Sequence, residues 1–118
     1  MLNWFEIAAS DFERAQKFYE TIFGFTMQTM NMELKMAFFP YDEGKVSGAI
    51  CCGPDYKPSA DGSLIYLNAN PDLNEVLSKV EAAGGKVLLA KRQISPDYGY
   101  MALFLDSEGN RMAFHSNK

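Results

Sequence analysis

The stretches WFEIAASDFERAQKFYETIFGF (residues 4–25) and LIYLNANPDLNEVLSKVEAAGGK (residues 64–86) decide the fold, because the second repeats the pattern of the first. In both, a short apolar strand is followed by a polar segment, an Asp-hydrophobic pair and an apolar-striped stretch that ends at glycine. The spacing from Asp11 to Gly24 equals that from Asp72 to Gly85. This repetition indicates an internal duplication of one structural unit.

The apolar positions of each copy recur at the i, i+3, i+4, i+7 intervals of an amphipathic helix. These positions are Phe12, Ala15, Phe18, Tyr19 and Ile22 in the first copy, and Leu73, Val76, Leu77, Val80 and Ala83 in the second. Ser10 with Glu13 matches a capping box, which predicts Ser10 as the cap of the first helix. Residues 70–72 (Asn-Pro-Asp) supply a capping side chain and a proline suited to the first turn of the second helix. Gly24 and residues 84–85 are typical helix stops.

Strand patterns follow each predicted helix. They cover residues 26–30, 35–39 and 45–52 in the first half, and 86–93, 100–106 and 111–116 in the second. Each half therefore has the order β-α-β-β-β, and the predicted fold class is α+β. Residues 54–62 are rich in Pro, Ser and Asp, which is typical of a linker. We expect a single domain, with module one at about residues 1–53 and module two at about 63–118.

Composition excludes several classes of function. The formal net charge is −4 and no basic stripe is present, so a nucleic-acid partner is not expected. No apolar run approaches the roughly 20 residues that span a bilayer, so no membrane contact is predicted. The N-terminal segment has no basic region and is interrupted by Glu6 and Asp11, unlike a signal peptide. With Cys51 and Cys52 adjacent and expected to be reduced, a cytoplasmic location is predicted.

Three segments resemble the vicinal oxygen chelate superfamily of glyoxalase, bleomycin-resistance and dioxygenase proteins: residues 5–25, 65–88 and 97–116. The Asp-Ser-Glu-Gly-Asn turn at residues 106–110 is similar to the D-P-x-G-N hairpin of that family, with Ser107 in place of proline. The resemblance implies two βαβββ modules whose curved mixed sheets form a cup. It also implies a homodimer and a cavity that is open to small molecules.

The resemblance further implies metal ligands, typically His or Glu, on the first and fourth strands of each module. At these places the chain has no His, Glu or Asp; it has Trp4, Leu64 and Ala113, with Ser47, Gly48 or Ala49 as candidates on the fourth strand of module one. Trp, Leu and Ala side chains cannot bind such a metal. We therefore expect neither a divalent metal nor another cofactor.

Strand alternation places six larger residues on the face that would line the cavity. These candidate ligand-binding residues are Trp4, Glu6, Tyr66, Asn68, Arg111 and His115. Glu6 needs a partner or water among its apolar neighbours, and Arg111 would either pair with it or bind an anionic ligand. Tyr66 and Asn68 would either orient a ligand or pack in a dimer interface. His115 is either a general base or a hydrogen-bonded edge residue, so Glu6 and His115 are the candidates for catalysis.

Three functional hypotheses follow. The first is a metal-free protein, similar to the bleomycin-resistance branch, that binds a small molecule in an aromatic-lined cavity. The second is a metal-dependent lyase, isomerase or dioxygenase resembling glyoxalase I, with metal held by unusual ligands. The third is a protein-interaction module whose cavity is filled by side chains. The residues at the ligand places favour the first hypothesis.

Overall fold

The computed structural model describes residues 1–118 and contains two four-stranded sheets, each with one helical segment. Module one comprises β1 (Trp4–Ala8), α1 (Phe12–Phe23), β2 (Gln28–Asn31), β3 (Lys35–Phe38) and β4 (Ser47–Cys52). Module two comprises β5 (Tyr66–Asn68), α2 (Asn74–Leu77), β6 (Lys86–Ser95), β7 (Gly99–Leu105) and β8 (Arg111–Ser116).

The two sheets share one topology. Their strand orders are β1-β4-β3-β2 and β5-β8-β7-β6. In each, the first and fourth strands of the module pair in parallel and the remaining neighbours are antiparallel. The predicted α+β class with two βαβββ modules and mixed sheets is confirmed.

Helix α1 differs from the prediction at its first residue. Asp11, not Ser10, is the N-cap, and its side chain accepts a hydrogen bond from the Arg14 backbone N–H at 3.1 Å. The capping box predicted from Ser10 and Glu13 is wrong, because the Ser10 hydroxyl donates instead to Glu108 in module two, at 3.1 Å. The helix ends at Gly24, whose φ of 74° lies in the left-handed region, as predicted.

The second helical segment is much less regular than its spacing predicts. Only Asn74–Leu77 is α-helix, and residues 78–84 continue as turns. Several of these turns close between residues i and i+3, for example from the Val80 N–H to the Leu77 carbonyl at 3.2 Å. Asp11 caps α1, whereas the residue at the start of this segment, Leu73, makes no side-chain capping hydrogen bond. Its apolar stripe is nevertheless kept, since Leu73, Leu77 and Val80 are all buried.

One core lies on the helical side of both sheets. Phe18 of α1 packs edge-on against Tyr19, with ring centroids 4.9 Å apart, and also stacks on Phe104 of β7 at 6.2 Å. Phe104 in turn stacks on Phe114 of β8 at 4.2 Å. Helix α1 therefore packs against strands of module two as well as its own. No helix has the length and apolar character needed to cross a membrane.

The turn between β7 and β8 ties the modules together through Glu108. Its carboxylate accepts hydrogen bonds from the Ser10 and Asp11 backbone N–H groups, at 3.0 and 2.8 Å. It also forms an ion pair with Arg14, 2.7 Å from Nε to Oε2. Burial alone would raise the pKa of Glu108, but the hydrogen bonds from Arg14, Asp11 and neighbouring groups outweigh it and lower the pKa to about 2.

Asp106 and Asn110 of the same turn form a second link. The buried Tyr19 hydroxyl donates to Asp106 Oδ2 at 2.7 Å, and Asn110 Nδ2 donates to the Ala8 carbonyl at 2.7 Å. Burial raises the pKa of Asp106, although hydrogen bonds from Asn110 and Tyr19 oppose that shift. The Asp-Ser-Glu-Gly-Asn sequence thus positions β1 and α1 against module two.

Candidate functional sites between the modules

The sheet register shows which residues share the face opposite the core, termed here the cup face. Phe5 and Ile7 pack on the core side, so Trp4 and Glu6 lie on the cup face. Trp4 pairs with Ser47, and Glu6 pairs with Ala49. Residues 47 and 49 therefore share this face.

Gly48 faces the other way. A Cβ atom built on it would lie 2.3 Å from the Phe5 carbonyl oxygen and 2.6 Å from the Phe5 ring. Of the three candidates on the fourth strand of module one, Ser47 and Ala49 therefore lie on the cup face and Gly48 does not.

On module two, the cup face carries the pairs Tyr66 with Ala113 and Asn68 with His115. Leu64, which the sequence placed on the first strand of this module, precedes β5 and has no register partner in it. Strand β5 has only three residues, so the strand itself supplies two cup-face side chains.

The six predicted site residues do not meet in one pocket. Tyr66 and Asn68 line an apolar pocket, whereas Glu6 and Arg111 line a separate polar cleft. Trp4 packs against Phe38, with ring centroids 6.1 Å apart. His115 Nε2 lies 2.6 Å from the Tyr98 carbonyl oxygen. Because a carbonyl only accepts, Nε2 must carry the proton in this contact.

The apolar pocket has a volume of about 430 Å³ and lies between the modules. Its aromatic lining comprises Phe5, Phe23, Phe25, Phe39 and Tyr66. The rings of Phe23 and Phe25 stack at 5.2 Å, and Phe25 meets Phe39 edge-on at 6.0 Å. These phenylalanines are not recognisable as site residues from the sequence, because strand alternation assigns Phe5 and Phe39 to the core. The feature of the sequence that could have indicated this lining is the pair of phenylalanines, Phe23 and Phe25, on either side of Gly24.

Asn68 lies on the wall of the apolar pocket. Its Oδ1 accepts hydrogen bonds from the backbone N–H and the side-chain Nδ2 of Asn70, at 3.0 and 2.8 Å. These two bonds orient the amide and leave its own Nδ2 without a protein acceptor. The arrangement provides one fixed donor beside an aromatic surface.

The polar cleft has a volume of about 170 Å³, and the linker forms one side of it. Its polar lining comprises Glu6, Lys57, Ser59, Asp61, Ser63, Asn110 and Arg111. Glu6 Oε1 accepts a 2.6 Å hydrogen bond from the Tyr56 hydroxyl, a bond that raises the pKa of Tyr56 to about 12. The alternative that Arg111 pairs with Glu6 is wrong, since the four ion pairs of the structure involve neither residue.

Cys51 and Cys52 are both free thiols, Cys51 being fully buried and Cys52 partly so. Burial, with the negative charge of Glu6 nearby, raises the pKa of Cys51 to about 12. At neutral pH Cys51 therefore remains a thiol and is a poor nucleophile.

Comparison with known proteins places this geometry in a family. Residues 2–40 match the model of the bleomycin resistance protein-like N-terminal domain. The chain is 32% identical over 123 residues to a glyoxylase-like domain-containing protein from Didymella fabae, an alignment covering 95% of this chain and 90% of the relative. The chain belongs to the vicinal oxygen chelate superfamily.

Solved structures agree at the level of the fold. A glyoxalase/bleomycin resistance protein from Albidiferax ferrireducens has a TM-score of 0.76 at 18% identity, covering 100% of this chain and 99% of that one. A glyoxalase I mutant from Zea mays has a TM-score of 0.74 at 18% identity, covering 98% of this chain but only 46% of that one. This chain thus spans about half the length of the maize protein. At the level of the family it is a glyoxalase/bleomycin resistance-like protein.

The residues at the metal-ligand places of the superfamily differ from the His and Glu expected there. Trp4, Leu64 and Ala113, at the places expected for ligands, provide no carboxylate or imidazole, and neither does Tyr66, which pairs with Ala113. Ser47, which pairs with Trp4, already donates its hydroxyl to the Phe39 carbonyl at 3.1 Å. No group of three or more His, Cys, Asp or Glu side chains is close enough to hold a metal ion. The residues of this vicinal oxygen chelate protein therefore do not fit the metal of the family.

Proposed function

We propose that this vicinal oxygen chelate protein binds a small apolar or aromatic molecule in the apolar pocket, without a metal or other cofactor. The observation that carries the proposal is the cluster of four phenylalanine rings around a volume of about 430 Å³ between the modules. This volume falls within the roughly 300–1,000 Å³ typical of small-molecule sites. Aromatic walls favour flat or hydrophobic ligands through burial and ring stacking.

Two polar groups would orient the ligand. Asn68 presents a fixed amide donor, and the exposed Tyr66 contributes a phenol at the same wall. An apolar pocket with a few placed polar groups is the usual composition of a specific small-molecule site. A ligand with an aromatic body and one hydrogen-bond acceptor would satisfy both features.

We also propose that the protein is a homodimer in which the cup faces are covered by the partner. Trp4 and Tyr66, on the cup faces of the two modules, are 40% and 50% exposed. Met101 and Leu103 of β7 lie on the same side as His115 and Ala113, and are outside the core. Exposed apolar sheet faces of this kind favour association with another surface. Free thiols at Cys51 and Cys52 support a cytoplasmic location.

The metal-dependent lyase, isomerase or dioxygenase of the second hypothesis gains no support from the site. Its two candidate catalytic residues lie in different surroundings, Glu6 in the polar cleft and His115 against the Tyr98 carbonyl. Neither belongs to a group of three or more His, Cys, Asp or Glu side chains that could hold a metal ion. The metal-free binding protein remains the proposal.

The test is a thermal-shift screen of aromatic and amphiphilic compounds. A ligand at about 100 times its Kd stabilises the native state by about 2.7 kcal/mol, which raises Tm by several degrees. Val46→Trp places a large side chain on the exposed wall of the apolar pocket and is expected to abolish the shift. Ile94→Trp, on an exposed residue of β6 away from the pocket, is the matched control and should keep it.

Treatment with a chelator should leave the ligand-induced shift unchanged, because no metal takes part. The proposal fails if no compound of a broad panel raises Tm, or if Val46→Trp responds as the wild type does. A shift that disappears with chelator and returns with a divalent metal would support the metal-dependent hypothesis instead.

A further inference from the structure

We propose that the polar cleft is a second binding site, separate from the apolar pocket, and that it takes a small zwitterion with one ammonium and one carboxylate group, such as a free α-amino acid. The cleft lies where the linker passes the end of β1 and the start of β8. This proposal goes beyond the proposed function and does not depend on it.

The proposal that the ligand is a zwitterion rests on the charged side chains of the cleft. Two carboxylates, Glu6 and Asp61, and two cations, Lys57 and Arg111, line the same small space. None of the four takes part in an ion pair of the structure. Opposite charges that share a cleft without neutralising one another present both an anion-binding and a cation-binding surface.

Hydrogen bonds position the two best-placed charges. The Tyr56 hydroxyl holds Glu6 Oε1 at 2.6 Å, which leaves Glu6 Oε2 for a ligand ammonium group. Arg111 Nε donates to the Ala60 carbonyl at 3.4 Å, which leaves both terminal guanidinium nitrogens without a protein acceptor. A guanidinium with free terminal nitrogens can donate two parallel hydrogen bonds to the two oxygens of a ligand carboxylate.

The size of the cleft limits the ligand. Its volume of about 170 Å³ is well below the roughly 300–1,000 Å³ of sites for drug-sized molecules. Ser59 and Ser63 add polar backbone and hydroxyl groups to the wall. A compact polar molecule fits this lining, whereas the aromatic ligand proposed for the other pocket does not.

The experiment uses isothermal titration calorimetry of the full chain with glycine, L-serine and L-glutamine. For L-serine, ethanolamine lacks the carboxylate and 3-hydroxypropionate lacks the ammonium group. We expect L-serine to bind at least about tenfold more tightly than either, since each missing group loses a charged hydrogen bond.

Two variants separate the roles of the charges. Arg111→Gln should weaken L-serine at least about tenfold and leave ethanolamine unchanged, whereas Glu6→Gln should weaken L-serine and leave 3-hydroxypropionate unchanged. Arg92→Gln, at an exposed arginine of β6 outside the cleft, is the control and should have no effect. In wild-type protein, NMR shifts on adding L-serine should centre on the amides of Ser59, Asp61 and Ser63, a readout that needs no variant.

The proposal is overturned if none of the three amino acids binds, or if the NMR shifts fall outside the cleft. It is also overturned if 3-hydroxypropionate binds as tightly as L-serine, since the cleft would then be a simple anion site. The Val46→Trp variant tests only the apolar pocket, and the calorimetry with amino acids tests only the polar cleft. A negative result at one site therefore leaves the proposal for the other site unaffected.

Discussion

At the scale of single residues, the charge of Glu108 is expected to stabilise the fold. Its side chain has no solvent-accessible surface, and it accepts hydrogen bonds from Arg14 and from two backbone N–H groups at the start of α1. Glu108→Gln is expected to lower the free energy of unfolding at pH 7 by about 1.5–3 kcal/mol, the value of hydrogen bonds to a charged group. Urea denaturation measures this difference, and Glu43→Gln, at an exposed residue, is the control.

The pH dependence of that difference follows from the sign of the pKa shift. The pKa of Glu108 is lowered to about 2 in the folded state, against about 4.3 in an unfolded chain. The stabilisation is therefore fully present above the unfolded pKa and is lost as pH falls toward about 2. The difference in free energy of unfolding between wild type and Glu108→Gln should be constant above about pH 5 and become smaller below it. A gap of equal size at pH 3 and pH 7 would show that the negative charge is not responsible.

At the scale of elements, the pairing of β1 with β4 depends on a close approach at Gly48. A methyl group there would overlap the Phe5 carbonyl and ring, which belong to the neighbouring strand. Gly48→Ala is expected to destabilise the protein by about 1–3 kcal/mol, as overpacking commonly does. Val46→Ala, at an exposed residue two positions earlier, should stay within about 0.5 kcal/mol. If both variants unfold at the wild-type urea midpoint, the two strands are less tightly packed than described.

The two helical segments show how far sequence periodicity predicts an element. The same apolar spacing marks the buried side of both, and in both it is correct, as Phe18 and Val80 show. Periodicity says nothing about which backbone hydrogen bonds close, so it could not reveal that α2 is regular only at Asn74–Leu77. Nor could local spacing reveal that Ser10 bonds to Glu108, because that partner lies 98 residues away.

At the scale of the whole molecule, the cup faces determine the proposed assembly. Leu103→Glu introduces a charge among the apolar side chains of β7 on the cup side. If a second copy covers that face, the variant should elute as a monomer of 13.2 kDa while the wild type has twice that mass, as measured by light scattering. Ala82→Glu, at an exposed residue beyond α2, should leave the dimer intact. A monomeric wild type would refute the dimer.

The sequence predicts the sheet face of each candidate residue but not how these residues are grouped. Strand alternation correctly put Glu6 and Tyr66 on the cup faces. It could not show that they line different cavities, because that depends on how one sheet lies against the other. Strand alternation also could not predict the aromatic lining of the apolar pocket, because it assigns Phe5 and Phe39 to the core side of the sheet.

The Glu108 contacts also constrain the order in which this chain can acquire structure. The groups that Glu108 joins at the start of α1 lie 94–98 residues earlier in the chain. During synthesis from the N-terminus, all residues of α1 are therefore made long before Glu108, whose carboxylate binds the N–H groups that precede the helix. Closing so long a loop costs conformational entropy before the contact contributes any stability, so this step is slow. Module one therefore lacks the contacts of Glu108 until most of module two has been synthesised.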